Sequence, residues 1–182
     1  MQTPSGQMAG PALGALLAGG TLAGEWVLDP LRSSIRLKTR VMVFRVNGVF
    51  REVSGHGTVS ADGGVSGTLA VAVASIDTGN TRRDKHLRSA DIFDTGNHPH
   101  ITFTTDGIQP SGRGGAVTGA LTVRGRTRPL SFDAVASVPG DGEAWLDARV
   151  RVNRADFGLT WKADGLASVT STVTIHAVFA RR

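Results

Sequence analysis

The sequence predicts an all-β protein whose antiparallel strands close into a barrel. From residue 24 onward, apolar and polar residues alternate with a period of two, which is typical of strands with one buried face. The chain has 24 glycines, and turn sequences such as Asp62-Gly63-Gly64 separate the alternating segments. The strand–helix–strand rhythm of a parallel sheet is not found. Because closure removes the exposed edges of a sheet, a barrel is the most economical arrangement.

The chain of 182 residues has the length of one domain. We expect an N-terminal extension over residues 1–23 and a barrel domain over residues 24–182. The extension is rich in Gly, Ala and Leu, which predicts a short helix over one end of the barrel and disorder before Pro11. It has neither the basic start of a secretory signal nor the roughly 20 apolar residues of a transmembrane helix. We therefore expect a cytoplasmic location, and a periplasmic or secreted one stays open.

The alternation predicts about eight to ten strands, separated by turn signals at the spacing of barrels and sandwiches. In chain order they cover residues 25–28, 34–41, 48–59, 66–75, 100–106, 117–124, 127–138, 144–154 and 169–180. Asp29-Pro30 ends the first strand, and residues 42–47 are expected to be irregular. Gly55 and Gly57 are expected to form bulges. Gly125-Arg126 is expected to turn one late strand into the next.

Residues 75–94 interrupt the alternation with a polar block of four basic and four acidic residues. Connections between strands are usually short, so a long charged insertion indicates a helix, a lid or a binding site. We expect a short helix around residues 80–93, with Asn80 or Thr81 as its N-cap. Helical spacing would direct Leu87, Ala90 and Phe93 toward the barrel mouth.

The charges of this block have two explanations. Its basic residues can face solvent or a bound anion, and they are Arg82, Arg83, Lys85 and Arg88. An ordinary i,i+4 ion pair between Asp84 and Arg88 on an exposed helix explains part of the pattern equally well.

The net charge of +5 and the pI of about 10.9 favour anionic partners. Arg36, Lys38 and Arg40 alternate with Ile35, Leu37 and Thr39 and so lie on the outer face of one strand, and Arg149 and Arg151 alternate in the same way on another. A solvated barrel exterior explains them, and transient contact with an anionic membrane surface is compatible with them. Nucleic acid is not an expected partner, because no aromatic residues are interleaved with these charges. The pattern leaves the oligomeric state open.

The residues that carry most enzymatic chemistry are missing or scattered. The chain has no cysteine and no tyrosine, and it lacks the nucleophile-elbow, P-loop and zinc-protease motifs. Asp84 and His86 lie close in sequence, but catalytic groups are defined by spatial geometry and usually come from distant segments. His98-Pro99-His100 is better explained as a turn entering a strand than as a metal site. We expect no enzyme activity, catalytic residue, metal or cofactor, with catalysis by Asp84 and His86 as a minor alternative.

Gly24-Glu25-Trp26 resembles the Gly-x-Trp signature of lipocalins. In that family the tryptophan plugs the base of the barrel, often beneath an arginine. An ordinary core position for Trp26 is the alternative, and both are structural roles.

A more extensive resemblance covers residues 26–179. The chain is identified as a member of the YceI family by a series of motifs in order. These are Trp26-Val27-Leu28-Asp29-Pro30, Gly48-Val49-Phe50, Ser75-Ile76-Asp77-Thr78-Gly79-Asn80, Arg83-Asp84-Lys85-His86-Leu87-Arg88-Ser89, Asp91-Ile92-Phe93-Asp94, His98-Pro99-His100-Ile101-Thr102-Phe103, Gly119-Ala120-Leu121-Thr122-Val123-Arg124-Gly125 and Arg154-Ala155-Asp156-Phe157-Gly158-Leu159.

This resemblance implies an extended, lipocalin-like antiparallel barrel that binds a long isoprenoid or another amphiphilic lipid. The implied lumen would be lined by Ile35, Leu37, Phe50, Leu69, Val71, Phe93, Ile101, Phe103, Leu121, Phe132, Val150, Trp161, Val173 and Ile175. Candidate partners for a polar head group at the mouth are His86, Arg88, Ser89 and Arg154. Alternation alone does not separate a ligand-holding lumen from a core filled by side chains.

Two departures from the family pattern concern location and the mouth. Many members carry a signal peptide, and this chain lacks a convincing one. Members also often have a histidine near the position of Arg40.

The function expected from the sequence is a non-enzymatic carrier or sequestering protein for an isoprenoid or similar lipid. The alternative is a basic module that binds anionic lipid or nucleic acid on a filled barrel scaffold.

Overall fold

A computed structural model of the chain describes residues 11–41, 44–140, 142–159 and 169–182. These residues form eleven strands, two α-helices and two 3₁₀ turns. The strands are β1 Gly24–Leu28, β2 Ser34–Val41, β3 Phe44–Phe50, β4 Val53–Val59, β5 Val65–Ala72, β6 Ile76–Asp77, β7 His100–Ser111, β8 Gly114–Val123, β9 Arg126–Gly140, β10 Glu143–Asn153 and β11 Thr170–Arg181. The helices are α1 Leu13–Ala18 and α2 Thr81–Arg88, and the 3₁₀ turns are Val73–Ser75 and Arg154–Phe157.

Eight of the described strands close into an antiparallel ring, which confirms the predicted barrel. The order is β1-β4-β5-β7-β8-β9-β10-β11, and β1 closes the ring because it pairs with both β4 and β11. β11 also pairs with β2 farther along its length, and β2, β3 and β6 continue the wall there. The barrel wall is therefore extended on one side beyond the closed ring.

The two helices lie at opposite ends of the barrel. The 12 residues of β7 begin just after the α2 segment and end beside α1, where the Leu13 amide donates to the Gly112 carbonyl at 3.0 Å. At about 3.3 Å per residue, β7 extends roughly 40 Å along its own direction. We call the end near α2 the mouth and the end near α1 the base.

The base is plugged as the Gly-x-Trp resemblance implied. Trp26 is buried, and its indole N–H donates to the Leu22 carbonyl at 2.9 Å. The Arg181 guanidinium lies over the indole ring, 4.9 Å from its centroid. Leu13 and Leu17 of α1 are buried against Trp26 in one apolar cluster. The predicted N-terminal helix therefore covers the base, and the residues before Pro11 lie outside the described part.

The predicted helix around residues 80–93 is shorter than expected. It begins after Asn80, whose side chain accepts a hydrogen bond from the Arg83 amide at 2.9 Å, and it ends at Arg88. The chain then folds back, since the Phe93 amide donates to the Leu87 carbonyl at 3.1 Å. This turn exposes Ala90, so its predicted position toward the mouth is wrong.

Several strand details also differ from the sequence prediction. β4 pairs with β1 and β5 in continuous register, so the predicted bulges at Gly55 and Gly57 are wrong. At Gly55, a Cβ atom would lie 3.3 Å from the Cβ of Leu28, so the glycine relieves crowding inside a regular strand. The part of the expected irregular segment that is described, from Phe44 on, belongs to β3, and residues 42–43 lie outside the described ranges.

We predict that Gly119→Ala in β8 destabilises the barrel. A Cβ atom at this position would lie 2.2 Å from the Thr104 carbonyl oxygen and 2.7 Å from Cζ of Phe103. Relief of this overlap requires a backbone shift, so the free energy of unfolding should fall by about 1–3 kcal/mol. Urea titration checks the value. Gly96→Ala is the control, since a Cβ there meets nothing within 4 Å. Equal stability of the two variants would contradict the prediction.

Candidate functional site: the barrel lumen

The mouth half of the barrel encloses an apolar chamber of about 180 Å³. We call it the mouth chamber. Its wall includes all thirteen described residues that the sequence proposed for the lumen, namely Ile35, Leu37, Phe50, Leu69, Val71, Phe93, Ile101, Phe103, Leu121, Phe132, Val150, Val173 and Ile175. The fourteenth, Trp161, lies outside the described residues. The side chains therefore leave space inside the barrel instead of filling it completely.

A second chamber of about 180 Å³ lies toward the base. We call it the base chamber, and its floor is formed by Leu13, Leu17, Leu22 and Trp26. None of these four floor residues was expected from the sequence to line the lumen. The wall residues Val65 and Val117 of the base chamber are in phase with the predicted lumen residues Leu69 and Leu121, so the same alternation extends to them. The register shift between Thr105 and Gly107, in contrast, puts Ile108 out of phase with Phe103.

The two chambers adjoin at four side chains, and we call this part of the wall the waist. Leu69, Phe103, Phe132 and Ile175 line both chambers. The rings of Phe103 and Phe132 pack at 5.2 Å between centroids with an interplanar angle of 52°. An elongated apolar guest that occupied both chambers would have to pass these side chains.

Polar side chains reach the mouth chamber at one part of its wall. In the described residues they belong to Thr39, Arg154 and Ser171. Arg154 is only 8% exposed, and its Nη1 donates to the Leu159 carbonyl at 3.2 Å. Burial lowers the pKa of this guanidinium, because removal from water disfavours the charged form. Arginine nevertheless keeps its charge in proteins, so a cation lies beside an apolar space.

The turn that carries Arg154 is fixed by the backbone around it. The Asn153 side chain accepts a hydrogen bond from the Ala155 amide at 3.0 Å and caps the 3₁₀ turn. Gly158 ends the turn with a φ of +74°, which favours glycine. The cap and the glycine together hold Arg154 against the chamber wall.

The other three predicted head-group residues do not line the mouth chamber. His86 is exposed, and the Ser89 hydroxyl donates to the His86 carbonyl at 2.7 Å at the end of α2. The Arg88 guanidinium donates to the Ile76 carbonyl at 3.1 Å. The reason is helix geometry. Leu87 lies on the chamber wall, and consecutive residues are rotated by about 100° around a helix, so His86 and Arg88 point away from the wall.

Asp84 has a structural role that explains its place in the charged block. It is 7% exposed and accepts hydrogen bonds from Thr78, with 3.0 Å to the amide and 2.5 Å to the hydroxyl. It therefore ties α2 to the end of β6. His86 is exposed on the same helix, so the geometry does not support the minor alternative of catalysis by Asp84 and His86.

The described residues lack two features that other kinds of function would require. They contain no group of three or more His, Cys, Asp or Glu side chains placed to hold a metal ion. Neither α1 nor α2, the helices seen in the described ranges, has the length and hydropathy needed to cross a bilayer.

Comparison with protein families agrees with this architecture. The model of the YceI-like domain matches residues 26–180, which is most of the chain. The chain belongs to the YceI family. Protein YceI of Escherichia coli O6:H1 is 28% identical over 152 residues, covering 78% of this chain and 80% of that protein. A UPF0312 protein of Serratia proteamaculans is 29% identical over 163 residues, covering 83% and 85%.

Solved structures show the same fold. Burkholderia cenocepacia BcnA superposes with a TM-score of 0.77 at 23% identity, covering 83% of this chain and 98% of that one. A domain from Saccharophagus degradans, described as polyisoprenoid-binding and implicated in plant cell wall breakdown, has a TM-score of 0.71 at 16% identity. Coverage is 86% of this chain and 98% of that domain. At these identities the likeness concerns the fold.

We predict that Asp84→Ala loosens the α2 segment. The substitution leaves the Thr78 amide and hydroxyl without their carboxylate acceptor, a loss of about 1.5–3 kcal/mol for hydrogen bonds to a charged group. Hydrogen exchange should accelerate in residues 78–93 more than in the barrel strands. Asp91→Ala is the control because Asp91 is exposed on the same segment. Unchanged exchange in the Asp84 variant would show that the carboxylate does not hold α2.

Proposed function

We propose that this YceI-family protein binds a long-chain isoprenoid or similar amphiphilic lipid in its lumen and carries or sequesters it without chemical change. The observation that carries the proposal is the pair of apolar chambers that share the waist residues as a common wall. A linear chain fits this shape, whereas a compact polar metabolite would leave its polar groups unsatisfied. Each methylene moved from water into such a space contributes about 0.8 kcal/mol. A long hydrocarbon therefore gains affinity without polar contacts along its length.

Arg154 is the proposed partner of the head group. A buried guanidinium attracts an anion more strongly than an exposed one, because the local dielectric constant is low. Its planar donors also match phosphate and carboxylate oxygens. Thr39 and Ser171 supply hydroxyl groups on the same chamber wall. These groups favour a lipid orientation in which the acidic head group lies at the mouth and the hydrocarbon tail extends toward the base.

Release is proposed to occur through movement of residues 80–94. Leu87, Ile92 and Phe93 from this segment form part of the mouth chamber wall. Among the described strands, β6 pairs with β3, whereas β7 pairs with β5 and β8. The segment therefore lies across a seam between β6 and β7, where no strand-to-strand hydrogen bonds are formed. A segment of this kind opens at a lower free-energy cost than a strand inside the ring.

The direct experiment is mass spectrometry of organic extracts from the purified full-length protein. A stoichiometric long-chain lipid is the expected result. Delipidated protein should also bind an added polyprenyl phosphate more tightly than the polyprenol of the same length. The function is refuted if the extracts hold no lipid and neither probe binds.

We predict that Arg154→Met weakens binding of polyprenyl phosphate about 10- to 100-fold while affinity for the uncharged polyprenol changes little. The range corresponds to about 1.5–3 kcal/mol for hydrogen bonds to a charged group. Methionine keeps much of the side-chain volume, and calorimetric titration measures both affinities. Arg113→Met is the control, because Arg113 is exposed near the base. An equal effect on the two lipids would remove Arg154 from the head-group role.

We predict that Leu69→Trp at the waist shortens the chains of the lipids that co-purify. The larger side chain would restrict passage from the mouth chamber to the base chamber. Chain-length distributions from mass spectrometry measure the effect. Ala70→Trp is the control, since Ala70 follows on the same strand and faces the opposite side of the sheet. Identical distributions for the two variants would mean that the tail does not reach the waist.

A further inference from the structure

The outer wall near the mouth carries a face of six basic side chains on β2, β3 and β10, with β11 between β10 and β2. We call it the basic face, and it consists of Arg36, Lys38, Arg40, Arg45, Arg149 and Arg151, all exposed. The strand register places them in rows. Arg36 and Arg149 flank Thr174, and Lys38 and Arg151 flank Thr172. Arg40 lies directly opposite Arg45.

The described residues form no ion pair with the basic face. Their ion pairs are Arg32–Glu143, Arg51–Asp77 and His176–Asp147, and none includes a member of the face. Directly opposed side chains have Cβ atoms about 4.5–5.5 Å apart, and like charges there destabilise a sheet. The pair Arg40–Arg45 therefore costs stability unless an anion from outside the barrel lies near it.

The basic face leads to an exposed aromatic side chain at the mouth. The pairing of β2 with β11 in the described residues ends at Lys38, and β3 pairs with β6 only through Val49 and Phe50. In the described ranges, the β2–β3 hairpin therefore projects beyond its neighbours. Phe44 lies near the tip of this hairpin and is 68% exposed. It lies on the side of the sheet that faces the lumen in the part of the hairpin farther from the tip.

The far side of the mouth is also basic. Arg82 and Lys85 on α2 are exposed, as are Arg126 and Arg128 at the start of β9. Cations thus occur on both sides of the opening.

We propose that the mouth docks on an anionic phospholipid bilayer, with the basic face on the head groups and Phe44 at the acyl boundary. Each basic residue near such a surface contributes a modest attraction, and several together give stable but salt-sensitive binding. An aromatic side chain beside basic residues is the usual composition of an interfacial anchor. The bilayer is preferred over nucleic acid because the strands of the face lack interleaved aromatic platforms for bases.

The test is co-sedimentation of the full chain with vesicles of phosphatidylcholine alone or mixed equally with phosphatidylglycerol. We expect binding to the mixed vesicles, with loss at high salt as the Debye length falls from about 10 Å at 0.1 M to about 3 Å at 1 M. The double variant Arg40→Glu/Arg45→Glu should weaken binding roughly 20-fold or more. The loss of each cation lowers the affinity about fivefold, and the new carboxylates add repulsion. Phe44→Ser should remove the fraction of binding that resists moderate salt.

The matched control is Arg113→Glu/Arg182→Glu, which makes the same change of net charge at exposed positions near the base. It should retain vesicle binding. Hydrogen exchange on vesicles should slow in residues 36–50 and stay unchanged in residues 60–64 of the base. Equal loss in the two double variants would overturn the proposal, as would protection at the base. Tighter binding to single-stranded oligonucleotide, with displacement from vesicles, would overturn it as well.

This docking goes beyond the proposed lipid binding and is measured separately from it. The vesicle assay needs no guest in the lumen, and Leu69→Trp should bind vesicles normally. If extracts hold no lipid but the vesicle results stand, docking survives and the carrier function fails. If Arg40→Glu/Arg45→Glu binds vesicles as well as the parent protein does, docking fails while lipid binding stands.

Discussion

The pairing of the first barrel strand with the last is the interaction on which the rest of the structure depends. β1 has only five residues, yet it hydrogen-bonds to β4 on one side and to β11 on the other. The Arg182 amide extends this seam by donating to the Glu25 carbonyl at 2.9 Å. Without it the sheet would have two exposed edges and no interior. Closure turns the alternation of the strands into an apolar inside and a polar outside.

The same closure explains why the two ends differ. At the base, β1 completes the ring, and Trp26 with α1 seals it. Toward the mouth, β2 replaces β1 as the partner of β11. Between these two strands, the Asp29 amide donates to the Val178 carbonyl at 2.8 Å. The wall beyond this point leaves β6 and β7 unpaired with each other, and the α2 segment lies across that seam. The mouth is therefore the end at which side chains, instead of strand pairing, complete the barrel.

Alternation predicted which strand side chains face the interior of the barrel, because it depends on local geometry. A strand directs every second side chain inward, so residues such as Leu37 and Val173 could be assigned without knowing their neighbours. Helix orientation could not be assigned in this way, since it depends on how α2 packs; His86 and Arg88 were placed at the head group but lie off the chamber wall. Gly55 suggested a bulge, whereas crowding with Leu28, a contact distant in sequence, accounts for it. The sequence therefore predicted what one strand decides and failed where two elements meet.

Arginine serves two different physical purposes in the proposed scheme. On the basic face the guanidinium groups are in water, where each attraction is weak, additive and screened by salt. Arg154 is in a low-dielectric wall, where one charge interacts strongly with one anion and is screened little. A lipid that enters from an anionic bilayer would thus exchange many weak contacts for a single strong one. Ionic strength should consequently govern how often the mouth meets the membrane, and much less how firmly a captured lipid is held.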